Sequence, residues 1–272
     1  MRVALFSDVH GNGVAFRAML GDLRERGVDA MVCLGDHAQG GPEPAECLEL
    51  LRELGCPAVM GNSDHFLLTL DPGEEEVTEA QIENAKWSQL QLSDDLLAFH
   101  RSFEPTAELD LGDGRTLLAF HATPRSREEL VSPWMQEEEF RAPFEGVDAT
   151  VFAGGHAHQQ WARRLGDAYY VNPGSVGLPV DHLQTGPTRA EVKAEYAILT
   201  VEDSAVGVEF RRVPFDAADV IRSVEESGIP NPEDAAGPWR HLGVSAITRS
   251  SPTSSAPIVT RVVPTVRNPK LS

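Results

Sequence analysis

Three features of the 272-residue chain predict an α/β fold. Short apolar runs alternate with amphipathic segments through the first 60 residues, and polar two-residue turns punctuate the later part of the chain. A 41% hydrophobic composition at this length also suffices for a substantial core.

Val3 to Phe6 is an apolar run of the kind found in buried strands. Phe16, Met19, Leu20 and Leu23 then fall at i, i+3, i+4 and i+7, one face of a helix, with Gly27 as its stop. Ala30 to Leu34 reads as a second strand. Pro44 suits the first turn of a helix that turns Cys47, Leu48, Leu51 and Leu54 inward, and Gly55 closes it. Val59 belongs to a third strand. This β-α-β-α-β order implies a mainly parallel sheet with right-handed crossovers.

Residues 72–103 read as helical and acidic, with a cap at Ser93. Beyond them, Asp113-Gly114 centres a hairpin. The segments ATVFAGG, WARRLGDAYYV and YAILTVEDSAVGVEFRRV supply further strands. From Ala235 onward there are five Lys or Arg and no Asp or Glu, which leaves 18 basic against 42 acidic groups in residues 1–234. The chain therefore divides into a domain of residues 1–234 and a basic, Ser/Thr/Pro-rich tail of residues 235–272, read as an appendage.

The net charge of −19 opposes a general nucleic-acid clamp, which needs basic patches, but leaves room for a small anion held by a local cation. The three cysteines, Cys33, Cys47 and Cys56, form no CxxC pair, so a reducing compartment is expected. Only four apolar residues separate Arg2 from Ser7, too few for a signal-peptide core, and no stretch approaches the ~20 apolar residues of a membrane span. The expectation is a cytoplasmic protein without membrane attachment.

The functional signal lies in the residues just after each apolar run. Asp8 and His10 come after VALFS, Asp36 after MVCLG, and Asn62 after AVMG. His121 comes after LLAF, and His156 and His158 after VFAGG. All are metal-ligand types at the strand ends where α/β sheets build sites. Any one of them has an ordinary alternative: Asp8 or Asp36 as a cap, His121 as a core histidine. Asp8/His10 and His156/His158 are each two apart, which in extended backbone aims both side chains to one side. Seven ligands exceed the three or four of a single catalytic zinc and suit two ions with a shared carboxylate.

The blocks SDVHGN, GD at 35–36, GN at 61–62, His121 and GGHAH resemble, in order, those of the calcineurin-like metallophosphoesterases. NPGSVGLP at 172–179 is similar to a loop of that superfamily's bacterial phosphodiesterase branch, and the resemblance spans residues 1–215. It implies two mixed β-sheets packed face to face and flanked by helices. It also implies one metal on Asp8, His10 and His158, a second on Asn62, His121 and His156, and Asp36 bridging. Asn62 then lends a neutral carbonyl oxygen where a carboxylate would add charge beside an incoming phosphate. The implied activity is hydrolysis of phosphoesters, phosphodiesters foremost, by hydroxide bridging two metal ions. A phosphomonoesterase and a protein-binding scaffold of the same fold are the alternatives. Manganese is the favoured metal, with iron, zinc and nickel compatible with the mixed nitrogen and oxygen ligands.

The chain departs from many family members at Ser63, where they carry a histidine that contacts phosphate or protonates the leaving group. Losing such an acid costs about 10²–10⁴-fold, so a slower or choosier enzyme is expected. His65 and His37 are the candidate substitutes. Asn12 either donates a hydrogen bond to the substrate phosphate or caps the helix carrying Phe16. Asn172 and Ser175 are expected to shape the rim, whereas His100, His182 and His241 match no block. Selectivity is expected to lie in loops 37–44, 64–80 and 122–145.

Overall fold

The computed structural model describes residues 1–74, 76–181, 189–202 and 205–246, with side chains at 180–181, 189–190 and 241–246 left aside. Strand β1 (Arg2–Phe6) leads to helix α1 (Gly13–Arg24), β2 (Ala30–Cys33) and α2 (Pro44–Leu54). Three helices come next: α3 (Asn62–Thr69), α4 (Glu79–Gln91) and α5 (Asp94–Arg101). The Asp113-Gly114 hairpin joins β3 (Thr106–Gly112) to β4 (Arg115–Phe120), both turn residues having positive φ (55° and 73°) as a tight hairpin requires. The chain continues through α6 (Glu137–Arg141), β5 (Val151–Ala153), β6 (Gln160–Leu165) and β7 (Ala168–Pro173). A short pair, β8 (Val180–Asp181) and β9 (Arg189–Ala190), precedes the long hairpin of β10 (Lys193–Glu202) and β11 (Ala205–Pro214). Helices α7 (Ala217–Ser227) and α8 (Pro232–Ala246) complete the described elements.

The large strands form two mixed sheets, ordered β11-β10-β1-β2 and β3-β4-β5-β7-β6. Strand alternation builds the layers. Val3, Leu5, Leu199 and Ala197 from the first sheet meet Leu117, Ala119, Val151 and Val171 from the second in one buried core. The opposite faces are covered by helices. Ala4, Phe6, Tyr196 and Ile198 pack on Phe16, Met19, Cys47 and Leu51 of α1 and α2. On the far side Phe120, Phe152 and Tyr170 pack on Phe140 and Phe144. This is the face-to-face arrangement that the resemblance implies.

Two expectations need correction. The third strand at Val59 is reduced to isolated bridges, Cys33 to Ala58 and Val59 to Glu104. Pro57 has no N–H to extend the ladder, and the chain turns into α3 at Asn62. Nor is the first sheet mainly parallel: β1 pairs parallel with β2 but antiparallel with β10, which comes from the far end of the chain. At the C-terminus, α8 crosses position 235, where composition placed the start of the tail, and Ala236 and Trp239 are buried. Residues 247–272, including SSPTSSAP, lie outside the described residues. Among the described residues no helix is long and apolar enough to cross a membrane.

Candidate metal centre

All seven ligand-type residues stand at or just beyond element ends: Asp8 and His10 after β1, Asp36 after β2, and Asn62 at the start of α3. His121 stands after β4, and His156 and His158 after β5. Five of them have left-handed backbone: Asp8 (φ 56°), His10 (49°), Asp36 (58°), His156 (65°) and His158 (51°). Tight turns, and not the extended backbone expected from the two-residue spacing, therefore aim the Asp8/His10 and His156/His158 pairs. Left-handed conformation at non-glycine residues costs on the order of 1–3 kcal/mol each and persists where surrounding structure enforces it. Here the enforcement comes from cross-links between the turns. Asp8 N–H donates to Gly35 O (2.9 Å) and His10 N–H to Asp36 O (3.0 Å). Gly155 N–H donates to His121 O (2.7 Å), and His156 N–H to Asp8 Oδ2 (3.1 Å).

The side chains converge. Asp8, His10 and His158 form one group, and Asp8, Asp36 and His121 another, each with ligand atoms within 4.8 Å of one another. Asp8 belongs to both groups, and Asp36 Oδ2 approaches a histidine of each, 3.6 Å from His10 Nε2 and 3.4 Å from His121 Nε2. Asn62 Oδ1 is 2.8 Å from His121 Nε2. His156 belongs to neither group; its ring stands 5.1 Å from that of His121, and its Nε2 faces Glu128 O at 3.1 Å, which leaves Nδ1 as its ligand atom. A small residue is required where the turns touch: a Cβ on Gly61 would collide with the Asp36 carboxylate, and one on Gly35 (φ 100°) would lie 2.6 Å from His121 Nδ1.

The donor set suits cations. His10, His121 and His158 place Nδ1 against the carbonyls of Gln39 (3.1 Å), Leu34 (2.7 Å) and Leu178 (2.9 Å). Carbonyls only accept, so each Nδ1 carries a proton, and each Nε2 is the atom left to bind a cation that displaces its own proton. Nε2 of His10 and Nε2 of His158 then face each other at 3.1 Å, an arrangement that calls for a positive charge shared between them. The protein's own charges report the same field. Burial pushes the His121 imidazole down, but Asp36 and Asp8 outweigh it and raise it to about 10. Burial likewise opposes ionisation of Asp8, yet His158, His121 and His10 hold its carboxyl below the usual range. Two buried carboxylates thus bind protons on neighbouring imidazoles in a site whose geometry equally accepts metal ions.

The remaining sequence candidates separate. Ser63 donates N–H to Asp36 Oδ1 (3.0 Å) and its hydroxyl to Oδ2 (2.9 Å). His37 is 1% exposed, with Nδ1 2.9 Å from Asp64 Oδ2 and its ring 4.7 Å from Phe103. That placement fits a packing and positioning group, not the leaving-group acid expected of it. Asn12 is 3% exposed; its Oδ1 accepts from Ala15 N–H (3.0 Å) and its Nδ2 donates to Gly177 O (2.8 Å). It is the α1 cap, the second of the two readings. His65 is half-buried on α3, its imidazole pushed down by burial and by nearby Arg127. Asn172 and Ser175 are buried rather than at the rim, donating to Gly155 O (2.6 Å) and Asp8 O (2.8 Å). His182 and His241 lie outside the described side chains.

Sequence reasoning missed Asp64 and His100. Asp64 is fully buried and accepts N–H bonds from Asp36 (2.7 Å), His37 (2.9 Å) and Gly61 (2.9 Å), with His100 Nε2 a further 2.8 Å away. His37, Asp64 and His100 also cluster like ligands, but these contacts already occupy both Asp64 oxygens. The one available signal was an acid at the third residue of a helix after a glycine, where it reaches back to the cap N–H.

Two clefts flank the centre. One of about 570 Å³ begins at His10 and Ser63 and runs between α4 and α8. The other, of about 830 Å³, begins at His121 and is lined by Thr123, Arg125, Arg127 and Glu128.

A family model described as the calcineurin-like phosphoesterase superfamily domain matches residues 1–204. An uncharacterized protein of Methanocaldococcus jannaschii is 27% identical over 248 residues, spanning 84% of this chain and 93% of that protein. The crystal structure of a metallophosphoesterase from Sphaerobacter thermophilus aligns with 27% identity and a TM-score of 0.67, covering 88% of this chain and 98% of that one. A hypothetical protein from Pyrococcus horikoshii OT3 shares the fold, with 18% identity, a TM-score of 0.74, and coverage of 87% of this chain and 96% of its own.

Proposed function

Because this chain belongs to the calcineurin-like phosphoesterase superfamily, we propose that it hydrolyses phosphoesters, phosphodiesters foremost, with two metal ions held by its seven ligand residues. The observation that carries the reading is the pair of ligand groups joined through Asp8 and Asp36. When bound, the ions supply Lewis-acid polarisation of the phosphoryl group and a water ionised near neutral pH.

The chain's own residues do the rest. Asp8, His10 and His158 would hold one ion and Asn62, His121 and His156 the other, with Asp36 available to both. The carbonyls of Gln39, Leu34 and Leu178 fix the orientation of three imidazoles, so their Nε2 atoms are aimed at the centre before a metal arrives. Ser63 holds the Asp36 carboxylate through both oxygens and brings no imidazole to the leaving group. His65, beside Arg127, is the remaining candidate acid. Leaving groups that need little protonation, such as aryloxides, are therefore the best handled.

A diester is favoured over a monoester because the ligand cluster opens onto a cleft at each end, one at His10 and one at His121. A diester has an organic group for each, and a monoester has only one. Manganese is the favoured metal, with iron, zinc and nickel suited to the same donors.

The test is hydrolysis of bis(p-nitrophenyl) phosphate by purified protein supplied with manganese, compared with p-nitrophenyl phosphate. The diester is expected to turn over faster, and Asp36→Asn to abolish both rates. A metal-loaded preparation inert towards both esters contradicts the proposal.

A further inference from the structure

Resting on the reading of a metal-dependent phosphoesterase, we infer that the cleft between α4 and α8 binds the organic group of the substrate, and that this group is apolar and bears no second anionic charge. The cleft is continuous with the metal centre: His10 and Ser63, whose side chains contact Asp36, line its inner end. A group seated in it is therefore attached to a phosphorus atom at the metals.

Its outer wall comes from residues beyond position 204, where the match to the family domain ends. Val220 of α7 and Ala235, Pro238 and Trp239 of α8 line the space together with Ala80 of α4 and Leu178, which packs against the Val220 and Trp239 cluster. Trp239 stands edge-on to Phe215, with ring centroids 5.5 Å apart, and packs with Ala217 and Val220. The segment that composition marks as an appendage thus begins by closing the substrate cleft.

Charge narrows the ligand further. Among the described residues no Lys or Arg lines this cleft, and Asp234 does, so a second phosphate or a carboxylate finds no cationic partner among them. The cleft at His121, with Arg125 and Arg127, has the opposite character.

Calorimetric titration of the manganese-loaded protein with methylphosphonate and with benzylphosphonate isolates the cleft from turnover. Burying a ring of this size predicts that benzylphosphonate binds ~10–100-fold more tightly. Ala235→Phe, which fills the cleft from α8, and Ala80→Trp, which fills it from the other side, are each expected to bring that ratio close to one. Ligand-induced change in Trp239 fluorescence, identified as the signal lost in Trp239→Phe, is expected with benzylphosphonate and not with methylphosphonate. Should methylphosphonate bind but the ring give no advantage, the cleft assignment is overturned while the phosphoesterase reading stands. Should neither phosphonate bind the loaded protein and neither nitrophenyl ester be cleaved, the underlying reading is overturned and this one with it.

Discussion

Ser63 grips both oxygens of Asp36, its backbone N–H on Oδ1 at 3.0 Å and its hydroxyl on Oδ2 at 2.9 Å. The residue that stands where many family members carry a catalytic histidine therefore orients the carboxylate between the two ligand groups. Ser63→Ala removes the hydroxyl bond and keeps the backbone one. Metal affinity is expected to fall by about tenfold, the lower end of the range for groups that orient a ligand, with little change in thermal stability. Metal titration of the two proteins checks it; equal affinities contradict this role for Ser63.

Aryl and alkyl leaving groups separate the contribution of protonation. With no imidazole at position 63, the rate is expected to fall steeply as the leaving group becomes more basic. Ser63→His is expected to flatten that dependence, and a series of substituted phenyl and alkyl esters measures the slope. If His65 serves as the acid instead, His65→Ala steepens it.

Asp64 is the most heavily used buried acid near the site, accepting three backbone N–H bonds with His37 and His100 also against it. Asp64→Ala strands those donors at up to ~1–3 kcal/mol each, so a loss of about 3–5 kcal/mol is expected. Urea unfolding of the variant measures this. Because Asp36 N–H is one of the stranded donors, metal affinity falls as well.

Glu195 on β10 is 3% exposed, its Oε1 2.9 Å from Arg212 Nε and its Oε2 without a hydrogen-bond partner among the described residues. Burial raises its carboxyl from 4.5 to about 8 against the pull of Arg212. The folded state thus keeps a proton over pH 4.5–8 that the unfolded chain has released. Stability from this group is complete below pH 4.5 and declines as pH rises through 8. Relative to Glu195→Gln, the native protein is expected to lose at least about 1 kcal/mol between pH 5 and pH 9, read from urea midpoints. A pH-independent difference contradicts the assignment.

Much of this was legible in the sequence because the signals were local. Phe16, Met19, Leu20 and Leu23 face the core as their spacing predicts, Ser93 caps α5, and each ligand candidate stands behind its own apolar run. What escaped depends on contacts between distant segments. The pairing of β1 with β10 joins residues almost 200 positions apart, and no periodicity announces it. His100 meets Asp64 across 36 positions, so neither residue carries a motif that names the other. The left-handed turns at Asp8, His10, His156 and His158 replaced the extended geometry inferred from their two-residue spacing. Composition marked Ala235 as the start of an appendage, whereas burial of Ala236 and Trp239 ties that segment to the domain.

Metal stoichiometry puts the two-ion centre at greatest risk, read by elemental analysis of protein loaded with manganese and freed of excess ion. About two ions per chain are expected, with Asp36→Asn retaining about one or none. Less than one ion per chain in the native protein, or the same content in Asp36→Asn, contradicts a centre built on these seven residues.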